Sequence, residues 1–251
     1  MFDGFNTKIN ADIKLKEPKG GIRFGTDALL LADFALDSCK KGRAIDLGTG
    51  SGVIPLLMLA SGCKCDFTGL ELQEEYADIA RQNSVENGFS DRFKVICGNA
   101  ENYRSIFESG RADFVITNPP YMRMNCGKSN ESLPLAIARR EISGGASLFC
   151  ETAAWALKSG GSFFAVYRPD RLANLICSMK NNGIEPKRLR AVFPSYDKKP
   201  SLVLIEGRKD GGEGLVYENN LYIYTDETHT VQTDEMQAIY RRFDGRNEEP
   251  R

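Results

Sequence analysis

Three observations predict an α/β fold built on a Rossmann-like, mostly parallel sheet of seven strands, with helices on both faces and an antiparallel last strand. Short apolar runs alternate with helical patterns through most of the 251 residues. The first run, Ala44 to Gly48, passes directly through Thr49-Gly50-Ser51-Gly52 into an apolar helix from Val53 to Ala60. That is the strand, glycine turn and helix that open a nucleotide-binding α/β unit. The last two main strands, Pro186 to Val192 and Leu202 to Glu206, are joined by a connection too short for a parallel crossover, so the final one runs antiparallel.

The elements follow in order. Residues 3–18 are mixed and polar and predict an arm or short hairpin. A glycine-containing turn from Gly20 to Asp27 leads into a leucine-rich helix, capped by Thr26 or Asp27 and ending near Cys39. The second strand spans Asp66 to Leu70, and the amphipathic helix Gln73 to Asn87 stops at Gly88. Phe93 to Cys97 is the third strand, with a helix from about Glu101, and Ala112 to Thr117 is the fourth. Residues 122–141 show no sustained period, and a loop of that length inside a compact domain is usually functional. A helix from Ser147 to Lys158 carries the only Trp, Trp155; Gly160-Gly161 ends it, and Ser162 to Tyr167 is the fifth strand. The helix Pro169 to Asn182 is stopped by Gly183. Beyond Gly211-Gly212 come a strand at residues 221–225 and a short helix from Thr233 to about Phe243. The expected organisation is an arm (1–20), a main domain (21–210) and a C-terminal extension (211–251).

Composition narrows the function. The 33 basic and 34 acidic residues nearly cancel, so no global field draws the chain to a polyanion, and any nucleic acid must be held by a local patch. With His229 as the only histidine, a His-based triad and a multi-histidine metal site are excluded, and no metal is expected. The seven cysteines are scattered without a Cys-x-x-Cys pair and read as reduced core residues of a cytoplasmic protein. The polar start and the lack of a long apolar run predict neither a signal segment nor a membrane span.

The chemistry concentrates at Asn118-Pro119-Pro120-Tyr121, where the fourth strand ends. Neither proline has an N–H, so this turn offers a planar amino group only acceptors, Asn118 Oδ1 and the Pro119 carbonyl, with Tyr121 placed to stack on a flat partner. Such a site suits an amine delocalised into an aromatic ring or an amide. The dinucleotide fingerprint fails at the first turn, because Val53 or Pro55 stands where the third glycine belongs. Asp46, at the strand end beneath Gly48, Gly50 and Gly52, favours a cationic or neutral ligand over a pyrophosphate. Glu71 ends the second strand about 20 residues on, where an acid meets ribose hydroxyls; its bland alternative is an acid at a helix N-terminus. Asn99, followed by Ala100, either faces an adenine amino group or caps the next helix. Arg139 and Arg140 are candidates to grip phosphate. Lys187, Arg188, Arg190, Lys198 and Lys199, interleaved with Phe193 and Tyr196, form the best local candidate for a phosphate and base contact surface; the alternative is an edge strand guarded by lysines.

With these motifs placed, the chain resembles the class I S-adenosylmethionine (SAM)-dependent methyltransferases that act on exocyclic or amide nitrogen. Within them it is most similar to the bacterial tRNA adenine-N6 methyltransferases that modify the adenine 3′ of the anticodon in a valine tRNA. The residues that carry the likeness are Gly21 to Asp27, Asp46 to Gly52, Asn118 to Tyr121, Ala138 to Ile142 and Lys199 to Glu206. The resemblance implies that Asp46 to Gly52 and Glu71 hold SAM, that Asn99 and Ala100 face its adenine, and that the turn of Gly25, Thr26 and Asp27 closes over it. It also implies that Asn118, Pro119 and Tyr121 are catalytic, that Pro120 lies against the substrate, that tRNA is the partner and that S-adenosylhomocysteine is the product. Asn99 stands where such enzymes more usually have Asp. The same tetrapeptide fits a glutamine side-chain amide in a release factor or guanine N2 in ribosomal RNA, and a non-catalytic SAM-binding scaffold is the remaining alternative.

Overall fold

The computed structural model describes residues 4–8, 13–18, 25–119, 146–226 and 228–244. The chain opens with an antiparallel hairpin, β1 (Gly4–Lys8) and β2 (Lys14–Pro18). It continues through α1 (Thr26–Leu36), β3 (Lys41–Leu47), α2 (Val53–Ala60), β4 (Lys64–Glu71), α3 (Glu74–Glu86), β5 (Phe93–Cys97), a 3₁₀ turn (Ala100–Asn102), α4 (Tyr103–Ile106) and β6 (Ala112–Thr117). After a helix whose described turns cover 146–156, here α5, come β7 (Leu157–Tyr167), α6 (Leu172–Asn181), β8 (Ile184–Phe193), β9 (Leu202–Lys209), β10 (Val216–Tyr217), β11 (Leu221–Tyr222) and α7 (Asp234–Phe243).

The seven long strands stand in the order β8-β9-β7-β6-β3-β4-β5, with β9 antiparallel to both neighbours and the others parallel. The expected α/β fold and its antiparallel strand are present. The sheet holds nine strands rather than seven, because the two-residue strands β10 and β11 add in parallel to the outer edge of β8. Strand order reverses at β3, which pairs with β4 on one side and β6 on the other. A crevice opens at the carboxyl ends of strands at such a switch point.

Other boundaries shift for identifiable reasons. β7 begins at Leu157, ahead of Gly160-Gly161; the glycines lie inside the strand, where the register with β6 slips between Ala112 and Phe114. α1 is capped by Gly25 rather than by Thr26 or Asp27 and ends at Leu36. The helix expected from Glu101 is a single turn after a 3₁₀ turn. Residues 223–225, expected as strand, lie beyond β11, whose register with β8 ends at Phe193.

Alternation along β7 shows how the core is split. Phe163 and Phe164, both fully buried, point to opposite faces. Phe164 packs edge-on against Phe34 of α1 in a layer with α2 and α7, whereas Phe163 joins the layer of α5 and α6. Leu221, Met236 and Phe243 are buried in the first layer, so the C-terminal residues from β11 to α7 share the main core. α7 is capped by Thr233 Oγ1, which accepts from Met236 N at 3.2 Å, and Arg242 ties it to Asp33 and Asp37 of α1.

The hairpin is held by two asparagines, Asn83 in α3 and Asn87 at its C-terminal cap, that act as strand partners. Asn83 accepts from Lys16 N (2.9 Å) and donates to Lys16 O (3.1 Å), while Asn87 does the same for Lys14 at 3.0 and 2.8 Å. Asn83 is fully buried and its amide also donates to Ser51 O at 2.8 Å, which joins the hairpin to the glycine turn.

Candidate active site

The glycine turn after β3 is built from left-handed backbone: Gly48, Gly50 and Gly52 have φ of 72°, 56° and 84°. Only glycine adopts such angles without strain. The three differ in what surrounds them. A Cβ added at Gly52 would meet the Phe93 ring at 2.6 Å, so this glycine allows helix α2 to pack on β5. A Cβ at Gly48 or Gly50 would meet none of the described residues within 4 Å, so among these residues the two border open space rather than filled core.

Beneath the turn, Asp46 is buried, with Oδ2 accepting from the Thr49 hydroxyl at 2.7 Å and Oδ1 without a partner among the described residues. Burial pushes its carboxyl up to about 7; the Thr49 hydrogen bond opposes the shift and the neighbouring Glu71 charge adds to it. A buried carboxylate oxygen with no donor is costly unless something else supplies one. That orphaned oxygen, beside open glycines, fits the ammonium-bearing end of an amino-acid-like ligand such as the methionyl part of SAM. Thr49, unremarked in the sequence, is the residue that fixes this carboxylate; its place inside the glycine motif was the available signal.

Glu71 is buried at the end of β4, where it accepts from Gly50 N (2.9 Å) and from Gln73 N (3.0 Å). Burial raises its pKa, against the pull of the Gln73, Gly50 and Leu72 N–H groups. It therefore braces the glycine turn and begins α3 at once, and the carboxylate keeps a lone pair for a ligand hydroxyl. Asn99 caps the 3₁₀ turn: Oδ1 accepts from Glu101 N at 2.9 Å and Nδ2 donates to Glu101 at 3.0 Å, with Ala100 buried behind it.

Asn118 stands directly after β6, the neighbour of β3, so it shares the carboxyl edge with the glycine turn. Thr117 ties the two strand ends, its hydroxyl donating to Leu47 O at 2.9 Å. Asn118 Nδ2 donates to Asp27 Oδ2 at 3.1 Å, while Asp27 Oδ1 accepts from Ala28 N at 3.0 Å in the first turn of α1. A carboxylate only accepts, so the amide nitrogen must face Asp27 and Oδ1 is the end turned elsewhere. The turn of Gly25, Thr26 and Asp27 thus meets the catalytic candidate itself. This link spans 91 residues and has no signature in the sequence.

Pro119 follows within the described residues; Pro120, Tyr121, Arg139, Arg140 and the segment Gly21 to Phe24 lie outside them. The basic candidates separate into two groups. Lys187 donates to Gly212 O and Glu213 O, and Arg188 bridges Glu206 (2.8 Å) and Glu218 (2.6 Å) over the Phe34 ring. Arg190 pairs with Glu235 and donates to Asn219 O. These three hold the β8 edge together and are not brought to the carboxyl end. Tyr196, Lys198 and Lys199 are exposed in the turn after β8, at the carboxyl edge. Among the described residues there is no cluster of three or more His, Cys, Asp or Glu able to hold a metal, and no helix long and apolar enough to cross a membrane.

The family model of the methyltransferase small domain matches residues 19–176, more than half of the chain. The chain belongs to that family. Among curated relatives, a tRNA1(Val) (adenine(37)-N6)-methyltransferase of Porphyromonas gingivalis is 26% identical over 201 residues, covering 74% of each chain. One of the same name from Pedobacter heparinus is 26% identical over 88% of this methyltransferase and 91% of the relative. A release factor glutamine methyltransferase of Agrobacterium fabrum is 33% identical over 43% of this chain and 36% of its own. Among solved structures, a predicted O-methyltransferase of Agrobacterium tumefaciens superposes with a TM-score of 0.70 at 21% identity, over 86% of this chain and 96% of that one. A geranyl diphosphate C-methyltransferase of Streptomyces coelicolor in complex with S-adenosyl-L-homocysteine gives 0.52 at 14% identity, covering 72% and 75%. These likenesses agree with the class I methyltransferase architecture described above.

Proposed function

We propose that this methyltransferase modifies the exocyclic N6 of an adenine in tRNA, next to the anticodon, using SAM. When bound, SAM supplies an electrophilic methyl group on a sulfonium. Asp46 Oδ1 and the Gly48 to Gly52 turn would hold its amino-acid end, and Glu71 its ribose. The observation that carries the reading is Asn118, held by Asp27 through its amide nitrogen at the exit of β6, beside the open glycine turn.

With Nδ2 committed to Asp27, Oδ1 is the acceptor that Asn118 presents, and the Pro119 carbonyl is a second one that no neighbouring proline N–H can satisfy. Two acceptors on an aryl amine draw on its protons, restore density to the nitrogen lone pair and oppose the positive charge that grows there during transfer. The proton leaves after the new C–N bond forms, so no base of matched pKa is required. What remains is orientation, which a fixed amide on a strand end supplies. Tyr121 and Pro120 are proposed to bear on the flat base.

Support for adenine in tRNA comes from the names of relatives that align across most of the chain. The glutamine reading rests on a relative aligned over less than half of it. Purified protein with tritiated SAM should label unmodified tRNA transcripts and leave release factor unlabelled, with the label recovered as N6-methyladenosine after nuclease digestion. Label in release factor, or in guanosine, would replace the proposal.

A further inference from the structure

The C-terminal segment, which the motifs leave without a role, brings an aromatic ring to the working edge of the sheet. β11 pairs with β8 in parallel, setting Leu221 beside Val192 and Tyr222 beside Phe193. The ladder runs on past the strand end, with Ile223 N donating to Phe193 O and Tyr224 N to Pro194 O, both at 2.9 Å. Tyr222 therefore packs on two rings, Phe193 at the end of β8 and Tyr196 in the β8–β9 turn, with centroids 5.1 Å and 4.5 Å away. Tyr196 packs on Tyr222 and is 59% exposed, which leaves much of it open to solvent. Lys198 and Lys199 follow it, both exposed and without an acidic partner among the described residues, whereas Lys187, Arg188 and Arg190 on the preceding strand all have internal partners.

We propose that Phe193, Tyr196 and Tyr222, with Lys198 and Lys199, form a ledge that takes unpaired nucleotides flanking the target base; this rests on the tRNA reading above. Three strand steps separate β6 from β8 in the order β6-β7-β9-β8, so the ledge lies on the order of 14 Å from the exit that carries Asn118. That is a span of a few nucleotides along a strand. A group of rings beside two exposed lysines, with Asp197 as the acid between them, matches a chain that carries both bases and phosphates. Bases inside a duplex are stacked on one another and offer no face to a ring, so the ledge selects single-stranded RNA such as a hairpin loop. An acidic peptide would satisfy the lysines but would have no use for the rings.

Fluorescence anisotropy on the full chain, with a labelled RNA hairpin carrying an unpaired loop, a blunt RNA duplex and a polyglutamate peptide as probes, tests this directly. Tyr196→Ala and Tyr222→Ala should each weaken hairpin binding about tenfold and leave duplex binding unchanged, while Tyr196→Phe retains wild-type affinity. Replacing Lys198 and Lys199 by Ala should flatten the salt dependence by about 0.7 in log–log slope per lysine. Melting curves run alongside; Tyr196, being exposed, is the variant whose fold is least in question. Equal affinity of wild type and Tyr196→Ala for the hairpin, equal wild-type affinity for hairpin and duplex, no hairpin binding at all, or tighter binding of the peptide would each overturn the ledge. Methylation of tRNA transcripts by the wild type is measured separately. Transfer that survives with an unaltered Tyr196→Ala affinity removes the ledge alone, whereas lost hairpin affinity in a protein that methylates no RNA removes the tRNA reading alone.

Discussion

Two regions of one sheet handle polar groups in opposite ways. Along the outer edge at β8, charge is compensated: Arg188 lies between Glu206 and Glu218, Arg190 meets Glu235, and Arg208 joins Glu206 from the far side at 3.2 Å. At the seam of β3 and β6 the same chain buries a carboxylate oxygen with no donor, bends three glycines into left-handed backbone and fixes an asparagine by one end only. The charges at β8 are matched within the chain and serve the fold. At the seam, the orphaned carboxylate oxygen is one that a ligand can finish.

Substitutions at the two regions should therefore fail in different ways. The largest effect is expected from Asn118→Ala, which removes the oriented acceptor: kcat for methyl transfer should fall by about 10²–10³, with SAM affinity by calorimetry and the melting temperature nearly unchanged. Turnover that persists would place the amine elsewhere.

At the outer edge the pattern inverts. Arg188→Ala leaves Glu206, whose side chain is 3% exposed, with Arg208 as its remaining cation beside the Ser162 hydroxyl. Denaturant unfolding should show a loss of about 2–3 kcal/mol, while kcat per folded molecule stays at the wild-type level.

Asp46 separates binding from stability by sign. Its carboxyl titrates near 7 in the folded chain against an ordinary 3.8, so the folded state holds the proton more tightly than the unfolded one. Stability of the ligand-free protein gains from this group as pH falls through about 7 towards the ordinary carboxylate range, and loses that gain as pH rises. Affinity for cationic SAM moves the other way, climbing by up to about tenfold per pH unit until the carboxylate is formed. Asp46→Asn should flatten both profiles and weaken SAM at neutral pH; calorimetry and thermal melts across that interval provide the check.

The smallest effect is expected at the one exception beside β8 among the described residues. Ser195, buried in the β8–β9 turn, has a hydroxyl with no hydrogen-bond partner. Removing it as Ser195→Ala breaks nothing and should change stability by no more than about 0.5 kcal/mol, with a gain as the favoured direction.

The sequence disclosed the parts of the molecule whose causes are local. Apolar runs between glycine turns marked all seven long strands, and the short link before Leu202 foretold the antiparallel β9. The glycine motif located the turn at Gly48 and Gly50, because left-handed backbone requires glycine whatever surrounds it. Hidden features came from distant pairing. β10 and β11 are two residues each and exist only because β8 offers an unpaired edge. The Asp27 to Asn118 bond joins residues no pattern connects, and Lys187, Arg188 and Arg190, which looked like a nucleic-acid surface, are occupied by acids lying 18 to 45 positions away or by carbonyls of the C-terminal segment. Asn99 was open to two roles from sequence, and its capping bond to Glu101 is the one seen in the fold.

The amide of Asn83 grips the amino-terminal hairpin with one side and Ser51 with the other. It works as a rivet between a peripheral ribbon and the most delicate bend of the chain. A tag or deletion that tugs at residues 13–18 would be felt as slack at Gly50 and Gly52, remote in sequence yet joined to Lys16 through one side chain. That ribbon is thus a poor place to trim.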